Sequence, residues 1–475
     1  MPEDGRVAKL ILGPVVRRVV GDQAVVWFQT DQPCSVEISG GGQTAQARTH
    51  TFEGVHLAWV VVGGLPSGPT AYEVHVDGSQ VWPLPGFPPS VITTGSNADA
   101  TIAFGSCREP RDHGVDALEA YAKRAMAGAP LPDLLALIGD QIYADSLSPQ
   151  TISWLSTLDR PAHYPADQVV TFAEYVELYR EAWSAPEVRW LLSTVPTVMI
   201  FDDHEIMDDW NSSASWVADM HTKPWWAERT RAGLTSYWLF QHLGNLPPGP
   251  LSFDSLPSRW SFTIDIGRTR LIMMDCRGSR VLDGPVRRMF PQEDWDWLAA
   301  ESQVDCDHLV LACSLPWLLA PVIHHGEALM EVLSHRFGGP MERLRRKYDL
   351  EHWSAVGHSF AELTSLIQQA KTPTTISVVG GDVHHSYVAE ASIEGRPSVH
   401  QITCSPLNNS VDAVMKTLLR IGWIGAGVLG KDRAGVRWRP LMRPYFGNAI
   451  ATLTAGRILL EATTPTGTLT ALYSR

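Results

Sequence analysis

Four short segments of the sequence place side chains that can bind metal ions directly after an apolar run. The segments TIAFGSC, DLLALIGDQIY, TVMIFDDHE and ISVVGGDVHH supply in turn Cys107, Asp140 and Tyr143, Asp203 and His204, and Asp382 and His384. Continuous apolar runs of this kind are typical of strands covered on both faces. Ligands of α/β proteins collect outside the carboxyl ends of such strands, so these side chains are predicted to form one shared metal site.

The donor types predict two cation positions with different chemistry. Asp140 has two carboxylate oxygens and can bridge a pair of cations, which lie about 3.5–4 Å apart in two-metal hydrolases. The thiolate of Cys107, the phenolate of Tyr143 and the imidazole of His384 suit ferric iron better than Mg²⁺ or Ca²⁺. The oxygen ligands of Asp140, Asp203 and Asp382 suit Ca²⁺, with Mn²⁺ or Mg²⁺ as alternatives. The negative charges of the thiolate, the phenolate and the three carboxylates together equal the positive charge of one trivalent and one divalent cation.

Two-metal hydrolases include phosphatases and nucleases, and other polar residues in or near these segments are predicted to contact a phosphate ester and its leaving group. His204 is expected to donate a proton or a hydrogen bond to the leaving oxygen. Arg108 and Arg277 are candidate phosphate clamps, although a structural ion pair is an equal alternative for each.

Residues near the predicted ligands have supporting roles in this hypothesis. Those predicted to orient ligands are Asp202, Glu205 and His385. Capping roles are favoured over metal binding for Asp145 and Asp208. A tryptophan-rich stretch, predicted to form either a leaving-group pocket or the packing of a lid helix, contains Trp210, Trp216, Trp225 and Trp226.

Two regions with different patterns of apolar residues must position these side chains. Residues 1–98 contain short β-branched runs separated by turn residues, which predicts an all-β domain of the immunoglobulin or fibronectin type III kind. Residues 99–475 alternate apolar strand-like runs with helical stretches such as 171–192. This alternation predicts an α/β (α+β) catalytic domain, a sandwich flanked by helices. Long insertions are expected at 146–170, 210–260 and 410–445.

The composition argues against several classes of partner. The 475-residue chain has a formal charge of −13, and nucleic acid is not expected as a partner because phosphate backbones need clustered Lys and Arg. Its six scattered cysteines are too few for a disulfide scaffold. The sequence shows neither a signal peptide nor a membrane span, so the expected location is the cytoplasm. The pattern leaves the oligomeric state open.

The motifs and their order resemble those of the alkaline phosphatase D-like (PhoD-like) phosphodiesterases and phosphatases of the calcineurin-like metallophosphoesterase superfamily. The matching motifs are FGSC at 104–107, GDQIYAD at 139–145, the Asp-Asp-His-Glu block within 172–205, LIMMDCRGSR at 271–280, GGDVHHS at 380–386 and SPLNN at 405–409. The resemblance implies the metallophosphoesterase β-sandwich fold and a small-molecule phosphate ester as substrate. It implies iron at Cys107, Asp140, Tyr143 and His384.

The resemblance also implies a second metal, often calcium, near Asp140, Asp203 and Asp382, with His204 facing the phosphate. Two departures limit what it implies. No export signal is recognised, so an extracellular phosphate-scavenging role does not transfer. The family's tryptophan–acidic–glycine block is matched only loosely by DLEHWSAVGHSFAEL at 349–363, which weakens any inference about substrate contacts there.

These residues predict the hydrolysis of phosphate monoesters or diesters by a hydroxide held between two metals. One alternative is a degenerate hydrolase that binds ligands through its N-terminal β-sandwich, and intact ligands at all four strand ends count against it. A second is an oxygen-activating iron enzyme, which would need two histidines and a carboxylate on one face of the iron. A third, a nuclease, is disfavoured by the acidic charge.

Overall fold

The computed structural model describes residues 8–95, 99–282, 286–348, 350–371, 373–424 and 431–475. Residues 96–98, which end the predicted N-terminal domain, lie outside this described part of the chain. So do residues 425–430 of the predicted insertion at 410–445.

The N-terminal part is all-β, as predicted. Its strands are β1 (Leu10–Val20), β2 (Gln23–Thr30), β3 (Ser35–Gly40), β4 (Gln43–Arg48), β5 (His50–Phe52), β6 (Val55–Val62), β7 (Gly68–Val76), β8 (Ser79–Trp82) and β9 (Val91–Thr94). They form two antiparallel sheets, β1-β2-β6-β5 and β4-β3-β7-β8, and β9 pairs with β7. Alternate side chains such as Val26, Phe28 and Val60 are buried between the sheets. The immunoglobulin or fibronectin type stays a prediction.

Two larger sheets form the centre of the remaining chain. The first, in the order β12-β11-β10-β20-β21-β22, contains β10 (Thr101–Gly105), β11 (Leu134–Ile138), β12 (Thr197–Ile200), β20 (Ala449–Thr454), β21 (Arg457–Thr463) and β22 (Leu469–Ser474). The second, in the order β13-β14-β15-β16-β18-β17-β19, contains β13 (Phe262–Ile266), β14 (Thr269–Met274), β15 (His308–Cys313), β16 (Thr375–Gly380), β17 (Tyr387–Ser392), β18 (Val399–Thr403) and β19 (Arg437–Pro440). One apolar cluster joins both sheets, for example through Phe104 and Val310. The sheets therefore pack face to face.

Helices cover the outer faces of this sandwich. The described residues contain α1 (Ala117–Met126), α2 (Pro149–Leu155), α3 (Phe172–Trp183), α4 (Pro186–Leu192), α5 (Ala214–Met220), α6 (Trp226–Tyr237), α7 (Gln292–Glu301), α8 (Pro321–Phe337), α9 (Gly339–Lys347), α10 (Gly357–Gln369) and α11 (Ala413–Ile424). The predicted helical stretch 171–192 is divided into α3 and α4, because Pro186 has no N–H to continue a helix. Among these elements, no helix is long and apolar enough to span a bilayer.

The N-terminal part packs directly against the helices. Trp27 of β2 is almost fully buried, and its ring centroid lies 5.8 Å from that of Trp183 and 5.1 Å from that of Phe240. Val25, Leu57 and Trp59 belong to the same apolar cluster. Aromatic pairs of this geometry add to the stability gained from buried area.

The strand ends that carry the predicted ligands converge at one edge. Strands β10, β11 and β12 are parallel neighbours, so the loops after them meet, and the loop after β16 approaches from the second sheet. Four of the predicted ligands in these loops have positive φ: Cys107, Asp140, Asp382 and His384. Such strained backbone at non-glycine residues often marks functional sites. A Cβ atom at Gly381 would lie 2.1 Å from Ser106 Oγ, so this close approach of the two loops requires glycine.

Candidate metal centre

The structure brings the predicted ligands from the four strand ends together. Three overlapping groups have donor atoms that all lie within 4.8 Å of one another: Cys107, Asp140 and His384; Asp140, Asp203 and His204; and Asp140, Asp202, Asp203 and Asp382. Asp140 belongs to all three groups. This is the position expected for a carboxylate that bridges two cations.

Asp140 is a buried carboxylate with no hydrogen-bond partner in the described part of the chain. Neither of its oxygens has a hydrogen-bond partner among the described residues, although both are shielded from solvent. Burial raises the pKa of Asp140 well above its ordinary value, and the nearby Asp203 and Glu205 carboxylates add to this although His204 opposes it. A buried carboxylate with two unused oxygens is costly unless a cation compensates it. These residues therefore fit bound metal ions.

The soft-donor side of the cluster is supported by residues of the 405–409 loop. Ser405 Oγ donates to the Cys107 thiol at 3.2 Å, and Ser106 Oγ lies 3.2 Å from the same sulfur. Asn409 Nδ2 donates to Tyr143 Oη at 3.0 Å and lies 3.4 Å from His384 Nε2. Donors aimed at a thiol and a phenol stabilise their ionised forms, which are the forms that bind metal.

Glu205 holds two of the ligand loops together. Its buried carboxylate accepts hydrogen bonds from the backbone N–H groups of Gln141 at 2.8 Å, Asp202 at 2.9 Å and Asp140 at 3.2 Å. Gln241 Nε2 donates to it at 3.1 Å. Glu205 thus links the loop after β11 to the loop after β12.

His204, a member of the second donor group, has a fixed orientation. Its Nδ1 is 2.8 Å from Asp145 Oδ1, and its ring centroid is 4.5 Å from that of Tyr143. Asp145 also accepts a hydrogen bond from the backbone N–H of Asp208 at 2.6 Å. Its Nε2 lies 3.8 Å from Asp208 Oδ1, and its side chain is 18% exposed.

Comparison with known proteins decides the family. Residues 102–417 match the PhoD-like phosphatase family, and residues 7–93 match a domain of unknown function, DUF7800. The chain belongs to the PhoD-like phosphatase family. It is therefore a hydrolase of the phosphatase class, and its cluster of ligand side chains supports metal-dependent hydrolysis of phosphate esters. The chain matches no curated protein sequence.

Solved structures share the fold of this PhoD-like phosphatase. A structure of PhoD superposes with a TM-score of 0.64 at 16% identity, covering 98% of this chain and 89% of that one. A purple acid phosphatase from seeds of yellow lupin (Lupinus luteus) superposes with a TM-score of 0.56 at 11% identity. That match covers 96% of this chain and 73% of the lupin chain.

The two arginines predicted as phosphate clamps are held by protein groups in this PhoD-like phosphatase. Arg108 Nε lies 2.7 Å from Asp116, and its NH1 donates to the carbonyl of Ala182. Arg277 has no exposed side-chain surface, and its Nε lies 2.6 Å from Asp202 Oδ1. These contacts favour the structural ion pair for both.

Arg277 is part of a larger buried charge network. Its NH2 lies 3.0 Å from Asp382 Oδ1 and 3.3 Å from Asp203 Oδ2, and its NH1 pairs with Glu351. Burial lowers the pKa of the guanidinium, but the carboxylates outweigh it and hold the pKa well above its ordinary value. Arg277 therefore stays charged and holds the carboxylates of Asp202, Asp203 and Asp382 in place.

His385 and the tryptophan-rich stretch make contacts away from the predicted ligands. His385 Nδ1 lies 2.7 Å from the Val383 carbonyl oxygen and its ring stacks on Tyr387 and Phe446, so the contacts observed for it do not reach a predicted ligand. The tryptophan-rich stretch is packed into the helical layer. The ring centroids of Trp216 and Trp226 lie 5.4 Å apart, and both side chains are buried. This favours the packing interpretation over a leaving-group pocket.

Sequence reasoning missed three functional contacts. The sequence favours a capping role for Asp145, but in the structure Asp145 orients His204. Its place in the GDQIYAD motif is the local feature of the sequence that could have indicated this role. Ser405 and Asn409 lie in the recognised SPLNN motif, yet no role was predicted for them. Their targets are hundreds of residues away in the chain, so no spacing rule finds them.

Proposed function

We propose that this chain hydrolyses phosphate esters with a ferric ion and a divalent cation held at the converging strand ends. Cys107, Asp140, Tyr143 and His384 would hold the iron. Asp140, Asp203 and Asp382 would hold the second cation, Ca²⁺ in the first instance and Mn²⁺ or Mg²⁺ as alternatives. The observation that carries the proposal is the pair of buried Asp140 oxygens, which accept no hydrogen bond from the residues that the structure describes and lie where both donor sets meet.

When bound, two such cations lower the pKa of a shared water and stabilise the negative charge on the phosphate oxygens. The protein contributes orientation. Asp145 fixes the imidazole of His204 through Nδ1, and Nε2 lies 3.8 Å from Asp208 Oδ1. Nε2 would be the atom that faces the substrate. His204 would hydrogen-bond to the leaving oxygen as charge develops on it.

The rest of the site stays rigid during turnover because its carboxylates are tied to fixed donors. Glu205 joins two ligand loops, and Arg277 holds Asp203 and Asp382. Preorganised charges of this kind stabilise a transition state without reorganising during the reaction.

Metal content and the visible absorption spectrum of the purified protein test the proposal. Stoichiometric iron with a broad visible charge-transfer band is expected, and Tyr143→Phe should abolish the phenolate part of the band. Tyr72→Phe is the matched control, because Tyr72 is a buried tyrosine of β7 whose hydroxyl donates to the Ser193 carbonyl. Colourless protein that contains zinc or manganese would remove the iron assignment. No bound metal, together with no activity after metals are added, would contradict the whole scheme.

The class of ester is tested by comparing p-nitrophenyl phosphate with bis(p-nitrophenyl) phosphate. The cluster presents the same donors to either phosphoryl group, so the residues around its mouth must set the preference. A cytoplasmic location and the absence of a nucleic-acid partner remain part of the proposal. Cell fractionation and a filter-binding assay test these two statements.

A further inference from the structure

The chain between β15 and β16 brings one histidine to the metal centre. This excursion contains α8, α9 and α10, and His352 lies between α9 and α10. His352 Nε2 is 3.4 Å from Asp382 Oδ2, within ion-pair range, and the side chain is 13% exposed. His352 lies in the stretch 349–363, where the sequence matches the family's tryptophan block only loosely.

A buried glutamate orients the other side of this imidazole. Glu327 of α8 is 1% exposed, and its Oε1 lies 2.8 Å from His352 Nδ1. Its second oxygen accepts a hydrogen bond from Ser354 Oγ at 2.5 Å. Because both carboxylate oxygens are engaged, Glu327 cannot turn without breaking one of these contacts. The imidazole plane is therefore fixed from α8.

Asp382 is held from two sides, in contrast to Asp140. Arg277 NH2 lies 3.0 Å from Asp382 Oδ1, and His352 approaches Oδ2. The backbone of Asp382 also has positive φ, and its N–H donates to Ser106 Oγ at 3.2 Å. Rotation of the carboxylate about its Cβ–Cγ bond is thus limited by partners on different elements. The direction of the free lone pairs on the Asp382 carboxylate decides whether Asp382 can bind a cation beside Asp140.

We propose that His352 is a positioning residue, which Glu327 orients so that it holds Asp382 in the direction needed by the second cation. The inference rests on the proposed function for the place of that cation. It adds that the helical excursion, and not only the strand-end loops, determines how tightly the cation binds. Groups that hold metal ligands in this way typically change metal affinity 10–100-fold when they are removed.

Two substitutions at one position separate the two contacts of the ring. His352→Asn keeps an amide near the Nδ1 position, facing Glu327, but is too short to reach Asp382. His352→Gln extends an amide to the Nε2 position, facing Asp382. His358→Gln is the matched control, because His358 lies on the same excursion, is largely exposed and pairs with Glu362.

The measurement is isothermal titration of Mn²⁺, and separately Ca²⁺, into full-length protein from which divalent ions have been removed and iron retained. His352→Asn is expected to weaken the binding of the second cation by about 10–100-fold. His352→Gln should recover most of that loss, and His358→Gln should match the wild type. Glu327→Gln should weaken binding in the same direction as His352→Asn. An unchanged visible band in each variant shows that the protein is folded around its iron.

The outcomes distinguish this inference from the proposed function. If the wild type binds no second cation, the proposed two-cation function is wrong. If the wild type binds one and His352→Asn binds it equally well, the function stands and the role of His352 is refuted. Equal losses in His352→Asn and His352→Gln would also refute it, because they would show that contact with Asp382 is not what matters. Wild-type affinity in Glu327→Gln would remove Glu327 from the proposal.

Discussion

Replacing Glu205 by glutamine should loosen the metal centre without changing any ligand. The two side chains have nearly the same shape, but one carboxylate oxygen becomes an NH₂ group. That group would face N–H donors that now point at Glu205: either Gln141 N at 2.8 Å and Gln241 Nε2 at 3.1 Å, or Asp202 N at 2.9 Å and Asp140 N at 3.2 Å. In either orientation two buried N–H groups lose their acceptor, and the amide adds a donor that clashes with them.

The expected magnitude follows from these lost contacts. A buried donor left without a partner costs about 1–3 kcal/mol, so two of them lower the free energy of unfolding by about 2–6 kcal/mol. Because the same N–H groups belong to the loops that carry Asp140 and Asp203, cation binding should weaken as well. Urea unfolding measures the first effect, and metal content after dialysis measures the second.

Glu174→Gln is a control with matched chemistry at a distance from the metals. The Glu174 carboxylate is also buried, and it accepts hydrogen bonds from Val170 N at 2.6 Å and Thr171 N at 3.1 Å at the start of α3. It also pairs with Arg160, whose Nε lies 2.7 Å from Glu174 Oε1. This variant should lose stability but keep its metals. If Glu205→Gln keeps both its metals and a free energy of unfolding within about 1 kcal/mol of the wild type, the linking role of Glu205 is refuted.

Three further predictions concern the ligands, the contact with the N-terminal part and the pH dependence of stability. Asp140→Asn should remove turnover and lower the content of both metals, and substantial activity with normal metal content would contradict the bridging role. Trp27→Ala should lower the free energy of unfolding by about 3–5 kcal/mol in urea titrations, because Trp27 packs on Trp183 and Phe240; a loss below about 1 kcal/mol would argue against a shared core. Burial and Arg17 lower the pKa of His242 to about 3 from 6.5. The unfolded state therefore binds more protons, and stability is lost as pH falls from 6.5 toward 3. His242→Leu should flatten that acid limb in thermal melts, and a melting profile parallel to that of the wild type would contradict it.

The fold could be predicted in outline because its signals are local. Apolar runs such as LLALI at 134–138 predict buried strands, because every side chain in the run is apolar and suited to burial. The helical stretch around Tyr175 shows its period in the sequence, and Pro186 marks where it must break. The order of strands in the two sheets could not be read in this way. It depends on pairings such as β10 with β20, which lie about 350 residues apart in the chain.

For this protein, the sequence alone determined which residue types follow the strands, and hence which side chains could bind metal. Asp140 and Asp382 follow β11 and β16 by two residues, and this order can be read directly from the sequence. Only the tertiary structure decided what each side chain would meet. Arg277 is an equally good phosphate clamp or ion pair in the sequence, and the packing of the two sheets puts carboxylates around it. His352 and Asn409 reach the centre from distant segments for the same reason. Ion pairs and hydrogen bonds form between groups that are close in space, and the burial of the shared core determines which groups these are.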